Sequence, residues 1–254
     1  MNIYQAILLG ILQGITEFLP ISSSGHLVIG QTLLGIEVPG NAFEVIVHLG
    51  TFLAVIIVFK TDIRNLLFTL NVKESRHFIY IIVVATIPSI LIGFFLREQI
   101  GVIFERVDLV AYALIITGLI LFATNWTRDR NKKLSIWNGI LIGVAQAVAI
   151  IPGISRSGFT IATGLLTGMS SQTAIRFSFL LALPAIGGAG LLTALNMLEN
   201  GDPRLSLSVM IAGFISSFLV GWLTLNWLIQ LIKSGKLYWF GFYCVLIGLV
   251  LRIY

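Results

Sequence analysis

The sequence predicts an all-α polytopic membrane protein, six transmembrane helices plus two re-entrant helical hairpins arranged as an inverted-topology repeat. Three observations carry this. Of the 254 residues 57% are hydrophobic and 11% charged, with mean hydropathy +0.99, where a soluble domain carries roughly a quarter charged residues, so the surrounding solvent is lipid. The apolar segments come as six long runs and two pairs of shorter arms broken by Pro, Ser and Gly. The two halves also resemble each other at a constant offset of 133, pairing Gly10 with Gly143, Gln13 with Gln146, Ser24 with Ser157, Gly25 with Gly158 and Gly35 with Gly168.

The first arms, 3–19 and 21–35, are joined through LPISSSG. Each is shorter than the roughly 20 apolar residues a spanning helix needs. Proline removes a backbone donor, and the freed polar groups of such a break cannot face lipid. The pair is therefore expected as a hairpin that enters and leaves on one side, its tip buried near mid-membrane. The runs 42–59, 78–96 and 107–126 follow as three crossings. The second half repeats the order, with arms 136–151 and 154–168 joined through IPGISRSG and crossings at 174–198, 205–232 and 237–253. The whole of 1–254 is one membrane domain, repeat 1 covering about 1–130 with hairpin 3–35 and repeat 2 about 131–254 with hairpin 136–168. An odd number of crossings per repeat inverts the second half, so the two tips approach from opposite faces.

Loop charge sets the orientation, since cytoplasmic loops carry the excess of Lys and Arg. On this topology eleven of the sixteen basic residues share one side: Lys60, Arg64, Lys73, Arg76, Arg128, Arg130, Lys132, Lys133, Arg176, Lys233 and Lys236. Only Arg97, Arg106, Arg204 and Arg252 fall on the other. The richer side is read as cytoplasmic, which places both termini and the mouth of the first hairpin outside. The opening MNIYQAILLG lacks the basic stretch and cleavage site of a leader, so the first segment is expected to be retained.

Several function classes are excluded. The net charge of +5 comes from short loops and not from a basic stripe, so no nucleic-acid partner is implied. The single cysteine, Cys244, permits neither an internal disulfide nor a cysteine metal cluster. The three histidines, His26, His48 and His77, are scattered, and no glycine-rich nucleotide loop is present.

What remains is concentrated at the breaks. An ionisable side chain inside an apolar segment costs about 2.5–3.5 kcal/mol at a helix centre on insertion scales and needs a reason to be there. In QGITEFLPISSSGHL, Gln13 and Glu17 share a helical face, and Ser22, Ser23, Ser24 and His26 follow the proline. In PGISRSGFT, Ser155, Arg156, Ser157 and Thr160 follow a Pro-Gly that can open the helix and free backbone N–H groups. Those donors and a guanidinium that grips two oxygens at once suit a phosphate. A structural Glu17–Arg156 ion pair and serines that merely satisfy broken backbone are the plainer readings. Glu44 and His48, four apart, form a second polar face as support or participants. Gln146 stands opposite Gln13 while Ile150 stands where Glu17 would recur, so the two tips have specialised, one for acid–base work and one for anion binding.

With TEFLPISSSGH and PGISRSGFT in order and at the right separation, the chain resembles the undecaprenyl-pyrophosphate phosphatase family, the bacitracin-resistance type of membrane phosphatase, over essentially its whole length. The resemblance implies a multi-pass enzyme of the bacterial inner membrane that hydrolyses undecaprenyl pyrophosphate to the monophosphate and recycles the carrier for cell-wall synthesis. By the resemblance Ser23, His26, Ser155, Arg156 and Thr160 fall on the family's active-site positions; together with the reading of the breaks, Glu17, Ser23, His26 and Arg156 are expected as catalytic and Gln13, Ser22, Ser24, Ser155, Ser157 and Thr160 as substrate-binding. Mg²⁺ or Ca²⁺ is expected on Glu17 and the substrate phosphates. The family signature of Glu or Gln, three residues, then Glu reads here as Gln13 to Glu17. The expected nucleophile is Ser23 with His26 relaying its proton, or His26 itself, at a site opening to the outer face. Monomer and homodimer both stay open. The rival classes are a secondary transporter or flippase of a polyprenyl phosphate carrier, since broken helices in inverted repeats also build transporters, and an intramembrane serine hydrolase, for which Arg156 has no clear use.

Overall fold

The computed structural model describes residues 1–36, 42–95, 107–127, 131–200 and 206–253, and these are helical almost throughout. In chain order they form α1 (Ile3–Thr16), α2 (Ser23–Leu33), α3 (Ala42–Val58), α4 (Lys60–Phe68), α5 (Lys73–Phe95), α6 (Val107–Ala123) with a 3₁₀ turn at Thr124–Trp126, α7 (Ile136–Val148), α8 (Arg156–Leu166), α9 (Ser171–Asn200), α10 (Leu207–Lys233) and α11 (Trp239–Ile253).

Both expected breaks are present. α1 starts on an Asn2–Gln5 capping box and stops at Thr16, and α2 begins at Ser23. α7 starts on a Ser135 cap and stops at Val148, and α8 begins at Arg156. α1 packs against α2, and α7 against α8.

By length and apolarity Lys73–Phe95, Asp108–Trp126 and Leu207–Lys233 can each cross a membrane, and the pair Phe43–Val58 and Lys60–Phe68, bent by 67°, makes a fourth span if taken together. The chain is therefore a multi-pass helical membrane protein. One difference from the sequence reading lies at 60–77, expected as loop: α4 occupies its first half and α5 begins at Lys73. In KTDIRNLLF the apolar Ile63, Leu66 and Leu67 share a face, Leu66 is buried, and Asp62 faces Arg176 of α9 at 2.6 Å. Such a helix lies along a membrane surface more readily than across it. Arg97, Arg106, Arg128, Arg130 and Arg204, part of the charge count, lie outside the described residues.

Helices in lipid gain little from hydrophobic exclusion, so small residues that let backbones touch determine the packing. A Cβ on Gly10 would fall 2.7 Å from the Gly213 carbonyl of α10, and one on Gly14 would fall 2.8 Å from the Gly221 amide. On α7, a Cβ at Gly143 would fall 2.2 Å from the Ala85 carbonyl of α5. α6 and α11 approach through Gly118 and Gly241, each meeting the other's carbonyl at 2.8 Å. Thus α1 packs on α10 and α7 on α5, while α3 packs on α9 and α6 on α11. The arm opening each half lies against the second long helix of the other half. The largest cluster of buried apolar residues, with Phe18, Leu121, Ile161, Phe179 and Leu225, joins the first break, through Leu19 and Ile21, to α8.

Candidate active site

The breaks put four chemically active side chains within one small volume. α1 ends because Pro20 cannot continue it, and its last turn carries Gln13 and Glu17, both buried. Ser22 turns the chain with φ +70, a left-handed conformation seldom adopted without glycine, and this aims the N-terminus of α2 into the protein. In the second break Gly153 has φ +91, and a Cβ there would fall 2.5 Å from the Val110 carbonyl. Only glycine fits that position.

The tips touch each other. A Cβ on Gly158 would sit 3.0 Å from that of Pro20, and the Ser157 hydroxyl donates to the Leu19 carbonyl at 3.4 Å. Across this contact Arg156 Nη2 donates to Glu17 Oε1 at 2.5 Å. Glu17 Oε2 accepts from the Ser23 hydroxyl at 2.7 Å and from Gln13 Nε2 at 3.1 Å, and His48 Nε2 stands 3.6 Å from it. Glu17 is thus the hub of the cluster, and its buried charge is compensated from several directions, as such a charge must be.

His26 is held apart from that hub. Its Nδ1 is 2.8 Å from the Ser22 carbonyl and its Nε2 is 2.7 Å from the Tyr243 hydroxyl of α11. The Ser23 hydroxyl is bonded to Glu17 and not to the imidazole, so the expected Ser23–His26 relay is not formed in this conformation. Tyr243 is the site neighbour that the sequence reading missed: it lies 217 residues from His26 in an apolar run and carries no motif.

The remaining expected residues divide by where their hydroxyls point. Ser155 caps α8 by accepting from the Gly158 amide at 3.1 Å, and its own amide donates to Thr117 at 3.2 Å. Thr160 donates to the Arg156 carbonyl at 2.7 Å and pairs with Ser178 at 2.5 Å. Ser155, Ser157 and Thr160 therefore shape the start of α8, while Ser22 and Ser24 pair with each other at 3.4 Å. Glu44 accepts from Gln31 Nε2 at 3.3 Å, and its carbonyl is 2.7 Å from His48 Nδ1.

Two features fit an anion between the tips. α2 and α8 both begin at the breaks, so the positive ends of two helix dipoles and their first-turn amides converge there. Arg156 Nη1 is buried and has no hydrogen-bond partner among the described residues, leaving one arm of the guanidinium for a ligand. For a metal, no group of three or more His, Cys, Asp and Glu side chains gathers among the described residues. A hard divalent cation can be held by one carboxylate together with substrate phosphates. Glu17 supplies the carboxylate, and Gln13 Oε1, buried without a partner among the described residues, supplies a neutral oxygen, so the donor set fits that arrangement.

The profile of the family described as bacitracin resistance protein BacA matches residues 6–250. The chain belongs to this family. It is 41% identical to the undecaprenyl-diphosphatase of Halothermothrix orenii, with 100% of this chain and 98% of the relative covered. It is 39% identical to that of Christiangramia forsetii at the same coverage, and 38% identical to undecaprenyl-diphosphatase 1 of Bacillus cereus over 98% of this chain and 96% of the relative.

Proposed function

We infer that this BacA-family chain hydrolyses undecaprenyl pyrophosphate to undecaprenyl phosphate and inorganic phosphate, returning the carrier lipid to cell-wall synthesis and conferring bacitracin resistance. The observation that supports this best is the Glu17–Arg156 contact across two helix breaks, with a second guanidinium nitrogen and two helix N-termini directed at the same volume. A pyrophosphate matches that field, and its polyprenyl tail extends between helices into lipid.

In the reading favoured here, Arg156 and the first-turn amides of α8 bind the diphosphate, and Ser155 keeps that turn in shape. The Ser23 oxygen attacks the terminal phosphorus and its proton passes to Glu17 Oε2, to which it is already bonded. The bond from that phosphorus to the bridging oxygen breaks, and the electron pair leaves with the polyprenyl phosphate. Water then attacks the phosphoserine phosphorus, inorganic phosphate departs, and Ser23 regains its proton. Both nitrogens of His26 are engaged elsewhere, which favours Ser23 over His26 as nucleophile. Glu17, with Gln13 beside it, would hold a Mg²⁺ or Ca²⁺ together with the substrate phosphates, and such an ion would supply charge neutralisation there when bound.

The finer architecture belongs to the same proposal: six spans and two re-entrant hairpins in two inverted repeats, about 1–130 and 131–254. The reciprocal packing of α1 on α10 and α7 on α5 supports it. With the cytoplasmic side assigned by loop charge, the site opens at the outer face of the inner membrane.

The test is phosphate release from undecaprenyl pyrophosphate by the purified chain in detergent. Turnover that disappears in Arg156→Ala and Ser23→Ala is expected. A carrier flippase lacking hydrolysis would release none even as wild type.

A further inference from the structure

We propose that Tyr243 is a positioning residue for His26, fixing the tautomer and ring orientation of the one imidazole at the break; this rests on the hydrolase reading above. A carbonyl oxygen only accepts, so the contact of His26 Nδ1 with the Ser22 carbonyl at 2.8 Å places a hydrogen on Nδ1. In the neutral ring Nε2 is then a bare lone pair, and the Tyr243 hydroxyl at 2.7 Å is its donor. The rings stack as well, with centroids 5.7 Å apart and planes 18° from parallel.

The arrangement is held from both sides. The carbonyl that sets Nδ1 belongs to Ser22, whose φ of +70 turns it toward the ring of the residue one helical turn later. The phenol comes from α11, anchored on α6 by the Gly118–Gly241 approach. The next residue, Cys244, donates its thiol to the Pro20 carbonyl at 3.3 Å, and Pro20 is the residue that breaks the hairpin. Two consecutive residues of the last helix therefore seat on the first break, one satisfying freed backbone and the other the imidazole.

The consequence for the reaction is a division of labour. With Nε2 tied to Tyr243, the imidazole is kept off Glu17, which stays free to hold Ser23 and Arg156. His26 is presented in one protonation pattern, with Nε2 able to take up a proton only through or in place of the phenol.

The experiment compares wild type, Tyr243→Phe and, as a control on the same helix end, Tyr238→Phe. Tyr243→Phe keeps the stacked ring and removes only the donor. With undecaprenyl pyrophosphate as substrate, kcat is expected to fall about tenfold or more while KM stays within about twofold. In protein carrying ¹⁵N-histidine, with the resonance assigned by its absence in His26→Asn, the Nε2 signal of His26 should move toward that of an unbonded imidazole nitrogen. Tyr238→Phe should change neither. An unmoved His26 resonance in Tyr243→Phe overturns the proposal, as does wild-type kcat, or a loss in kcat matched by an equal rise in KM. Absence of turnover in the wild type would overturn the hydrolase reading instead and leave the nitrogen spectra to decide the Tyr243–His26 bond.

Discussion

Glu17 and Arg156, 139 residues apart, meet at 2.5 Å where two broken helices touch tip to tip. Each lies in a segment that could not afford it alone. The carboxylate is almost wholly buried and its guanidinium partner is 16% exposed, so each is the main compensation for the other.

Removing the guanidinium should therefore have two separable effects. Arg156→Ala is expected to lower kcat by about 10²–10³-fold through loss of charge stabilisation on the phosphates. It should also lower the thermal midpoint, because breaking a buried pair costs about 3–5 kcal/mol. The double variant Glu17→Gln/Arg156→Ala should recover much of the midpoint and none of the activity. Activity assays and melting curves on the same preparations check this, and recovery of turnover would contradict the assigned role.

The hydroxyls at the two tips should behave differently. Ser23 donates to the buried carboxylate of Glu17, so Ser23→Ala should abolish turnover and also cost about 1.5–3 kcal/mol of stability. Ser157 is bonded to the Leu19 carbonyl, so Ser157→Ala should cost about 1 kcal/mol of stability and keep kcat within a few-fold of wild type. Wild-type turnover in Ser23→Ala would remove it as nucleophile and reopen the case for His26.

How much of this was legible in the sequence follows from what lipid forbids. Glu17 and Arg156 were conspicuous because a charge inside an apolar run must have a reason, and Pro20 and Gly153 marked the breaks because a helix cannot pass through them unchanged. Tyr243 was not legible, since a tyrosine in FGFYCVLIG looks like any packing aromatic until α11 is seen lying on the hairpin. Nor was the partner of Ser23: four polar groups within a few residues allow several hydrogen-bond patterns, and the turn at Ser22 with its positive φ selects one. α4 was missed because its charges made 60–77 resemble a loop, whereas its apolar face is the period of a surface helix.

His48 separates the two imidazoles by geometry. Its Nε2 is 3.6 Å from Glu17 Oε2, beyond a direct hydrogen bond, and its side chain is 30% exposed. His48→Ala should reduce kcat by no more than about tenfold, while His26→Ala should reduce it by about 10²-fold or more. The comparison needs only steady-state kinetics on two purified variants, and the reverse ranking would make His48 of α3, and not His26, the imidazole on which turnover depends.

Loop charge makes a prediction about sidedness that a single thiol can check. Cys244 is fully buried, so the natural chain is close to a cysteine-free background for water-soluble maleimides. Lys133 is exposed, between the 3₁₀ turn and α7, on the side assigned to the cytoplasm. Lys133→Cys should react in inside-out vesicles and resist the reagent in intact cells. Labelling from outside would reverse the orientation and carry the mouth of the first hairpin to the inner leaflet.

Divalent-ion dependence follows from the sparse donor set. With Glu17 the one carboxylate in direct contact with Ser23 and Arg156 among the described residues, and Gln13 Oε1 a neutral oxygen, an ion would rely on the substrate's phosphates for much of its hold. Chelation by EDTA should therefore suppress turnover while leaving the melting temperature of the substrate-free protein unchanged, and added Mg²⁺ or Ca²⁺ should restore it. Gln13→Glu adds a second carboxylate one helical turn from Glu17, which should lower the ion concentration needed for half-maximal activity by about tenfold if the added charge contributes about 1.4 kcal/mol. Its repulsion with Glu17 in the substrate-free state should lower the melting temperature and the ion should raise it again. An activation curve that does not shift between the two proteins would remove Gln13 from the ion's surroundings.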